Sequence, residues 1–245
     1  MSGQARQLLA SDFEHRYSSE DRFYRGTRYI HEVQDLAEGL ACRVFRYKYA
    51  DVTPLSGHIS DMASLSLLSK PGDVVMSVSP DDGGYSGLSQ QGESRLLGLE
   101  HHCFSYDRQS MNIRIQESRE LISARRPRLL SLVPASFAFP HSGSRAFLRA
   151  RRGHGLYDGS HVLGLIAGQE FQDAINEGPD LFVGSTHKRL FGPQRGIILS
   201  NDEERFNTVE RGLHPGLVNN IHRNRLATPA YALIEMQKFG ASYAR

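Results

Sequence analysis

The chain has 245 residues, which suits one large domain with a sizeable core or two small ones, and we expect one large α/β domain. Its 29 basic and 27 acidic residues leave a formal charge of +2, which gives no reason to expect nucleic acid or an anionic membrane as main partner. No run approaches the ~18 apolar residues of a membrane span, no signal peptide is visible, and the two cysteines form no CxxC pair. We therefore expect a cytoplasmic protein with both thiols reduced.

The first predicted element is an amphipathic helix over residues 29–45, because apolar side chains recur there at three- and four-residue spacing. A short strand-like piece follows, then a turn over 54–57 and a helix that runs to Leu68 and stops at Pro71-Gly72. A last helix is predicted over 226–243.

Short apolar runs between these helices predict the strands of a sheet. Most of the runs are bounded by turn-forming residues and several are separated by helical patterns, which favours a mostly parallel sheet covered by helices. The runs cover residues 74–78, 129–133, 156–157, 181–183 and 197–199.

Three polar clusters follow strand-like runs, and in open α/β sheets ligands bind where loops leave the carboxyl ends of strands. The clusters are Ser56-Gly57-His58, Asp158-Gly159-Ser160-His161 and Ser185-Thr186-His187-Lys188.

Lys188 is open to three interpretations: an exposed surface lysine, a phosphate-binding point charge, or a nucleophilic amine that forms a Schiff base. The GxxxxGK[ST] phosphate loop is excluded because Gly184 and Lys188 have the wrong spacing.

Asp158 lies 188 − 158 = 30 residues upstream of Lys188. Pyridoxal phosphate enzymes pair a Schiff-base lysine with an acidic residue on the pyridine nitrogen. Alone, Asp158 is more typical of a helix cap or turn.

Ser56 and Gly57 precede a predicted helix, whose first amides and dipole favour an anion such as phosphate. As a single signal, Ser-Gly usually indicates only a helix cap. Together with Lys188 and Asp158 it indicates a cofactor site.

Taken together, these segments resemble the serine hydroxymethyltransferases, which are fold-type I pyridoxal phosphate enzymes. The run YDGSHVLGLIAGQEFQDAINEGPDLFVGSTHKRLFGPQRGIILSN looks like that family's D-x-[AS]-H-x-x-G-L-[IV]-A, T-H-K-[ST] and G-P-x-G-G patterns. The resemblance implies a three-layer αβα large domain of the PLP-dependent transferase fold over residues 1–245. Other segments occur in the family's order: FYRGTRYIHEVQDLAEGLACRVF, TPLSGHISDMASL, SVSPDDGGYSG and HPGLVNNIHRNRLATPAYALIEM.

The resemblance also implies roles for the residues nearest the chemistry. Lys188 matches the lysine that holds pyridoxal phosphate as a Schiff base, and His187 matches the histidine before it. Asp158 matches the carboxylate on the pyridine nitrogen, and His161 the histidine near the ring's phenolic oxygen.

Further cofactor contacts are implied in the same way. Ser56, Gly57 and His58 match the phosphate turn, where His58 changes the type of side-chain donor. Tyr85 stands where the family commonly has a histidine that stacks on the ring, and an aromatic face can still stack. Ser136 lies near a cofactor-contacting serine.

The alignment around Ser136 can shift by one position and place Phe137 there. Tyr24 matches a tyrosine that reaches into the neighbouring subunit's site, which implies a homodimer, and Tyr17 resembles a second, substrate-side tyrosine. Asn219 and Asn220 replace a Gly-Gly pair that reaches the partner's phosphate.

The function implied is interconversion of serine and glycine, with pyridoxal phosphate as cofactor and tetrahydrofolate as co-substrate that takes the one-carbon unit. In the family, an arginine of a small C-terminal domain holds the substrate carboxylate, and we expect this chain to lack both that domain and the N-terminal arm. A homodimer or a complementary chain is then the expected partner.

Three alternatives stay open. The chain can be an aldolase or transaldolase acting on another β-hydroxy amino acid, or a non-catalytic truncated homologue that needs a partner chain. A metal site built from His154, Asp158 and His161 is the third, although the family resemblance already explains two of these residues.

Overall fold

A central sheet of seven strands organises the computed structural model, which describes residues 1–18, 23–25, 27–133 and 153–245. The strands are β1 Tyr49–Asp51, β2 Val74–Ser77, β3 Glu100–Cys103, β4 Tyr106–Asp107, β5 Asn112–Ile113, β6 Leu129–Leu132, β7 His154–Asp158, β8 Leu181–Ser185 and β9 Gly196–Ser200. Within the described residues the strand order is β1-β9-β8-β7-β6-β2-β3, and β4 pairs only with β5.

The sheet is mostly parallel, as the apolar runs predicted. Strands β3, β2, β6, β7 and β8 run in one direction, and β9 and β1 are antiparallel to their neighbours. Every residue of β6, β8 and β9 is buried, which is why these strands read as continuous apolar runs. Tyr157 and Phe182 stack at 5.3 Å between adjacent strands.

Helices cover the sheet as two groups. The α-helices are α1 Gly3–Leu9, α2 Arg28–Phe45, α3 Gly57–Leu68, α4 Glu93–Leu96, α5 Ile115–Arg125, α6 Leu163–Ala167, α7 Ala174–Glu177, α8 Glu203–Gly212 and α9 Asn224–Ala244. One group joins α1, α2, α6 and α9, and the other joins α3 and α8, with α3 packed against β7, β8 and β9. This is the three-layer architecture that the resemblance implied.

The three helices predicted from sequence are present. The first is α2, which buries Ile30, Ala37, Leu40, Ala41 and Val44 on one face. The second, α3, begins at Gly57 after the cap Ser56 and ends at Leu68, and the third is α9.

Several elements had no clear sequence signal. The edge strand β3 has the sequence EHHC, in which no apolar run or alternation marks a strand. Helices α5 and α8 are mostly polar and bury only two residues each.

Two further expectations concern cysteines and membranes. Cys42 and Cys103 are free thiols, each partly buried. In the described part of the chain, no helix is both long enough and apolar enough to cross a bilayer.

Candidate active site

The carboxyl ends of β7 and β8 bring two of the polar clusters together. The strands are parallel neighbours, so Asp158 at the end of β7 and Ser185 at the end of β8 emerge at the same edge of the sheet. The two ends are joined by Ser160, whose Oγ accepts a hydrogen bond from the Ser185 backbone amide at 2.9 Å. This edge carries the residues that the sequence placed at a cofactor site.

Lys188 and His161 meet on this edge. The Lys188 Nζ lies 3.2 Å from His161 Nε2. Both side chains are largely exposed, as reactive groups open to a ligand must be. The pKa of His161 is lowered, first by partial desolvation of the ring and then by the Lys188 charge. The ring is therefore neutral at neutral pH and offers a lone pair to the lysine amine.

Asp158 is buried, with only 4% of its surface exposed. Its Oδ1 accepts a hydrogen bond from the Ser160 amide at 2.8 Å. Burial raises the pKa of this carboxyl, while the Ser160 bonds and the charges of Lys188 and His161 oppose the increase. A buried carboxyl of this kind favours a cationic or N–H partner.

The loop that carries Lys188 is held at its base. Thr186 donates its hydroxyl hydrogen to the Pro193 carbonyl at 2.6 Å, and its amide donates to the Arg195 carbonyl at 2.9 Å. His187 is exposed, and the pKa of its ring is lowered, first by partial desolvation and then by the Lys188 charge. Strand β8 ends at Ser185, shortly before Lys188. This confirms the sequence interpretation that the lysine comes just after a strand.

The predicted phosphate turn lies against the same edge. Ser56 caps α3 by accepting a hydrogen bond from the Ile59 amide at 3.2 Å. Gly57 packs so closely on β8 that a Cβ there would lie 2.2 Å from Ser185 Oγ and 3.2 Å from Ser160 Oγ. Only glycine allows this approach, which brings the first amides of α3 to the ends of β7 and β8.

His58, the next residue, contacts two side chains that face this turn. Its Nδ1 lies 2.9 Å from the Tyr85 hydroxyl and 2.6 Å from Glu93 Oε1. The Glu93 contact has the distance of an ion pair but not the angle of a hydrogen bond, and neither carboxyl oxygen has a hydrogen-bond partner among the described residues. Tyr85, which the family resemblance matches to a ring-stacking position, thus contacts the predicted phosphate turn.

Two buried acids near the site were missed by sequence reasoning. Glu93 is completely buried, and burial followed by the Asp158 charge raises its pKa to about 8. Asp61, on α3, is 1% exposed, and burial and the charges of Asp158 and Glu93 raise its pKa strongly. Each lies in a polar or mixed stretch, where nothing local distinguishes a buried acid from an exposed one.

A second, largely buried network supports the segment that leads into the turn. The hydroxyl of Thr53 contacts Asp51 Oδ1 and lies 2.6 Å from His214 Nε2, and His214 Nδ1 lies 2.7 Å from the Val218 carbonyl. Arg195 is fully buried and donates to the carbonyls of Val52, Thr53 and His222. Burial lowers the pKa of Arg195 to about 9, and the charge of Asp51 opposes that change.

The remaining predicted residues lie in less enclosed places. Tyr24 is 43% exposed and makes edge contacts with the rings of Tyr17 at 4.8 Å and Phe23 at 5.3 Å. Asn219 and Asn220 are exposed just before α9. Ser136, with its neighbour Phe137, lies outside the described residues.

The metal alternative is not supported. His154 begins β7 and Asp158 ends it, and His154 Nδ1 accepts a hydrogen bond from Arg205 at 3.1 Å. Across the described ranges, no group of three or more His, Cys, Asp or Glu side chains is placed to hold a metal ion.

Comparison with known proteins identifies the chain's relatives. The family model described as serine hydroxymethyltransferase matches residues 2–227. The chain belongs to the serine hydroxymethyltransferase family. It is 36% identical over 255 residues to the serine hydroxymethyltransferase of Korarchaeum cryptofilum and 37% identical over 245 residues to that of Methanocaldococcus jannaschii, with 98% of this chain covered in each case.

A solved structure with the same fold is the L-threonine transaldolase from Pseudomonas fluorescens in its internal aldimine state. The two superpose with a TM-score of 0.88 at 23% sequence identity, over 99% of this chain and 57% of that one. This likeness confirms the fold-type I architecture. The chain spans 59% and 57% of the length of the two hydroxymethyltransferases named above.

The residues at the sheet edge fit the pyridoxal phosphate that the family implies. An exposed primary amine, Lys188, lies beside a neutral imidazole, and the buried Asp158 carboxyl favours a partner such as a protonated ring nitrogen. The start of α3 offers backbone amides for a phosphate group within the same edge. The donor set therefore suits an aldehyde, a pyridine nitrogen and a phosphate on one molecule.

Proposed function

We propose that this chain carries the cofactor-binding domain of a hydroxymethyltransferase that interconverts serine and glycine and passes the one-carbon unit to tetrahydrofolate. The observation that carries the proposal is the 3.2 Å contact between Lys188 Nζ and His161 Nε2 beside the buried Asp158. Membership of the family supports the choice of reaction. When bound, pyridoxal phosphate would supply an electron sink for the carbanion that forms when a bond to the substrate's α-carbon breaks.

Lys188 would hold the cofactor's aldehyde, and His161 would orient the amine. A neutral His161 accepts a hydrogen bond from Lys188, which fixes the direction of Nζ without adding a second positive charge. His187, exposed and with a lowered pKa, would take up and return protons near this amine.

Asp158 would keep a proton on the pyridine nitrogen. Its carboxyl is buried and already bonded to the Ser160 amide, so its direction is fixed before a ligand arrives. A cationic N–H would relieve the cost that burial imposes on the carboxylate.

Ser56, Gly57 and His58 would hold the phosphate through the first amides of α3 and the His58 ring. Tyr85 would contact the cofactor ring while its hydroxyl bonds to His58. Ser136 would add a polar contact to the cofactor.

Tyr24, Asn219 and Asn220 would complete the neighbouring site in a homodimer. Their exposure supports this role, because groups that serve another subunit must lie on the surface. A complementary chain in place of a second copy is the other possible partner.

The decisive experiment is to add pyridoxal phosphate to the purified protein, reduce with borohydride and map the modified lysine by peptide mass. We expect the modification on Lys188 and its loss in Lys188→Ala, whereas Lys238→Ala, at an exposed position of α9, retains it. A folded protein with no modification on Lys188 would refute the proposal and favour a non-catalytic homologue.

A relative that acts on another β-hydroxy amino acid is the second candidate. The observation that favours it is Tyr85, since a phenol at this place does not titrate near neutrality as an imidazole does. Turnover of serine that depends on tetrahydrofolate would support the first candidate. Cleavage of other β-hydroxy amino acids without folate would support the second.

A further inference from the structure

Glu93 is a buried carboxyl that faces the phosphate turn. It is the first residue of α4 and its side chain is 0% exposed. Oε1 approaches His58 Nδ1 at 2.6 Å, and neither carboxyl oxygen has a hydrogen-bond partner in the described residues. A carboxyl in this setting must be protonated or paired with a cation.

His58 is the second residue of α3 and lies beside that helix's free amides. Its contacts with Glu93 and Tyr85 both engage Nδ1, and its side chain is 44% exposed. The other ring nitrogen, Nε2, is thus the one available to a ligand.

The number of titratable protons shared by the Glu93 carboxyl and the His58 ring decides whether His58 Nε2 carries a hydrogen. If the two groups hold two protons, they form either a carboxylic acid beside a neutral ring or a carboxylate beside an imidazolium. In the first case the Tyr85 hydroxyl donates to the single lone pair of Nδ1, beside the uncharged acid, so the ring hydrogen lies on Nε2. In the second case both ring nitrogens carry hydrogens. With one proton, the carboxylate attracts it to Nδ1, and Nε2 becomes a bare acceptor.

We propose that Glu93 is a positioning residue that acts through His58 and keeps a hydrogen on its Nε2, so that this N–H donates to a phosphate oxygen of the cofactor. The inference rests on the proposed function, because it needs a phosphate at the start of α3. Burial and the Asp158 charge, which raise the pKa of Glu93 to about 8, keep both protons in place at neutral pH.

Several other titratable groups face this pair. Asp158 at the end of β7 and Asp61 on α3 add negative charge, and Lys188 beyond β8 offsets part of it at Asp61. Tyr85 is a neutral phenol between pH 7 and pH 9, because burial and then the Glu93 charge raise its pKa.

The first test measures the His58 ring in the protein without cofactor, by ¹⁵N NMR of histidine-labelled protein with His58→Ala used for assignment. We expect a hydrogen on Nε2 at pH 7 and a bare Nε2 above about pH 8. This change should disappear in Glu93→Gln, which keeps the shape but has no titratable proton. Glu177→Gln removes another buried carboxyl, on α7, and should behave as wild type.

The second test compares binding of pyridoxal phosphate and pyridoxal, in the Lys188→Ala background so that binding is reversible. The ratio of the two affinities isolates the phosphate contacts. Between pH 7 and pH 9 this ratio should fall about tenfold, as expected for losing a hydrogen bond to a charged group. With Glu93→Gln added the ratio should stay constant, and with Glu177→Gln added it should fall as before.

The outcomes separate this inference from the proposed function. If Nε2 is bare at pH 7, or if Glu93→Gln titrates as wild type does, the inference is overturned whether or not cofactor binds. If borohydride modifies Lys188 but the affinity ratio has the same pH dependence with and without Glu93→Gln, the inference fails and the proposed function stands. If borohydride modifies no Lys188, the proposed function fails, and with it the phosphate contact.

Discussion

Lys188 Nζ and His161 Nε2 lie 3.2 Å apart, and one arrangement of hydrogens suits this contact. The amine donates to the lone pair of Nε2, so the ring hydrogen lies on Nδ1. A protonated ring would place two cations in contact and break the interaction. The lowered pKa of His161 keeps the ring neutral and the contact intact at neutral pH.

Removing the lysine charge should raise the pKa of His161. In Lys188→Met the pKa of His161 should rise but stay below its ordinary value, since desolvation is the largest cause and outweighs the opposing charge of Asp158. A ¹⁵N or ¹H NMR titration of His161 measures this. An unchanged pKa would show that the lysine does not contact the ring in solution, and Lys238→Met serves as the matched control.

The glycine that begins α3 should not tolerate a side chain. In Gly57→Ala the new Cβ would lie 2.2 Å from Ser185 Oγ, so α3 must move away from β8. We expect a loss of about 1–3 kcal/mol in the free energy of unfolding and weaker cofactor binding. Gly3→Ala, at the first position of α1, meets nothing within 4 Å and should be neutral or slightly stabilising. Urea denaturation compares the two.

A second substitution tests the origin of that clash. Adding Ser185→Gly to Gly57→Ala removes the nearest atoms and leaves Ser160 Oγ at 3.2 Å. Part of the lost stability should return. No recovery would locate the cost of Gly57→Ala elsewhere.

The Thr53 hydroxyl should contribute to stability because it links the buried Asp51 to the half-buried His214. Thr53→Val keeps the shape but leaves Asp51 and His214 with one hydrogen bond fewer each. We expect the free energy of unfolding to fall by about 1–3 kcal/mol. Thr208→Val removes an exposed hydroxyl that donates to the Glu204 carbonyl, and should change stability by less than about 0.5 kcal/mol. Equal effects in thermal unfolding would contradict the role of the buried linkage.

Glu38 should make the folded state less stable as the pH rises. Burial and then the Asp51 charge raise its pKa from 4.5 to about 9 in the folded protein. Between these values the folded state holds a proton that the unfolded state has lost, so stability falls with increasing pH across that window. Glu38→Gln carries no such proton, and its stability relative to wild type should rise from pH 5 to pH 8. Glu32→Gln, at an exposed position of the same helix, is the matched control in denaturation at the two pH values.

Local signals were sufficient for the elements that frame the site. Ser56 and Gly57 mark the start of α3 and Leu68 its end, because capping and apolar spacing act within a few residues. The buried strands β7 and β8 were visible as short apolar runs, because that pattern also lies within a few consecutive residues. Edge strand β3 did not, since its EHHC sequence contains no pattern that burial would impose.

The amino-acid sequence by itself determined the family, the positions of Lys188 and Asp158 after two strands, and the helix start that faces them, because each depends on neighbours along the chain. Only the tertiary structure decided that Lys188 contacts His161, that Glu93 is buried beside His58, and that His214 reaches Thr53 across 161 positions. Burial and charge pairing arise when distant segments pack together. The protonation of the site is therefore a property of the fold rather than of any one segment.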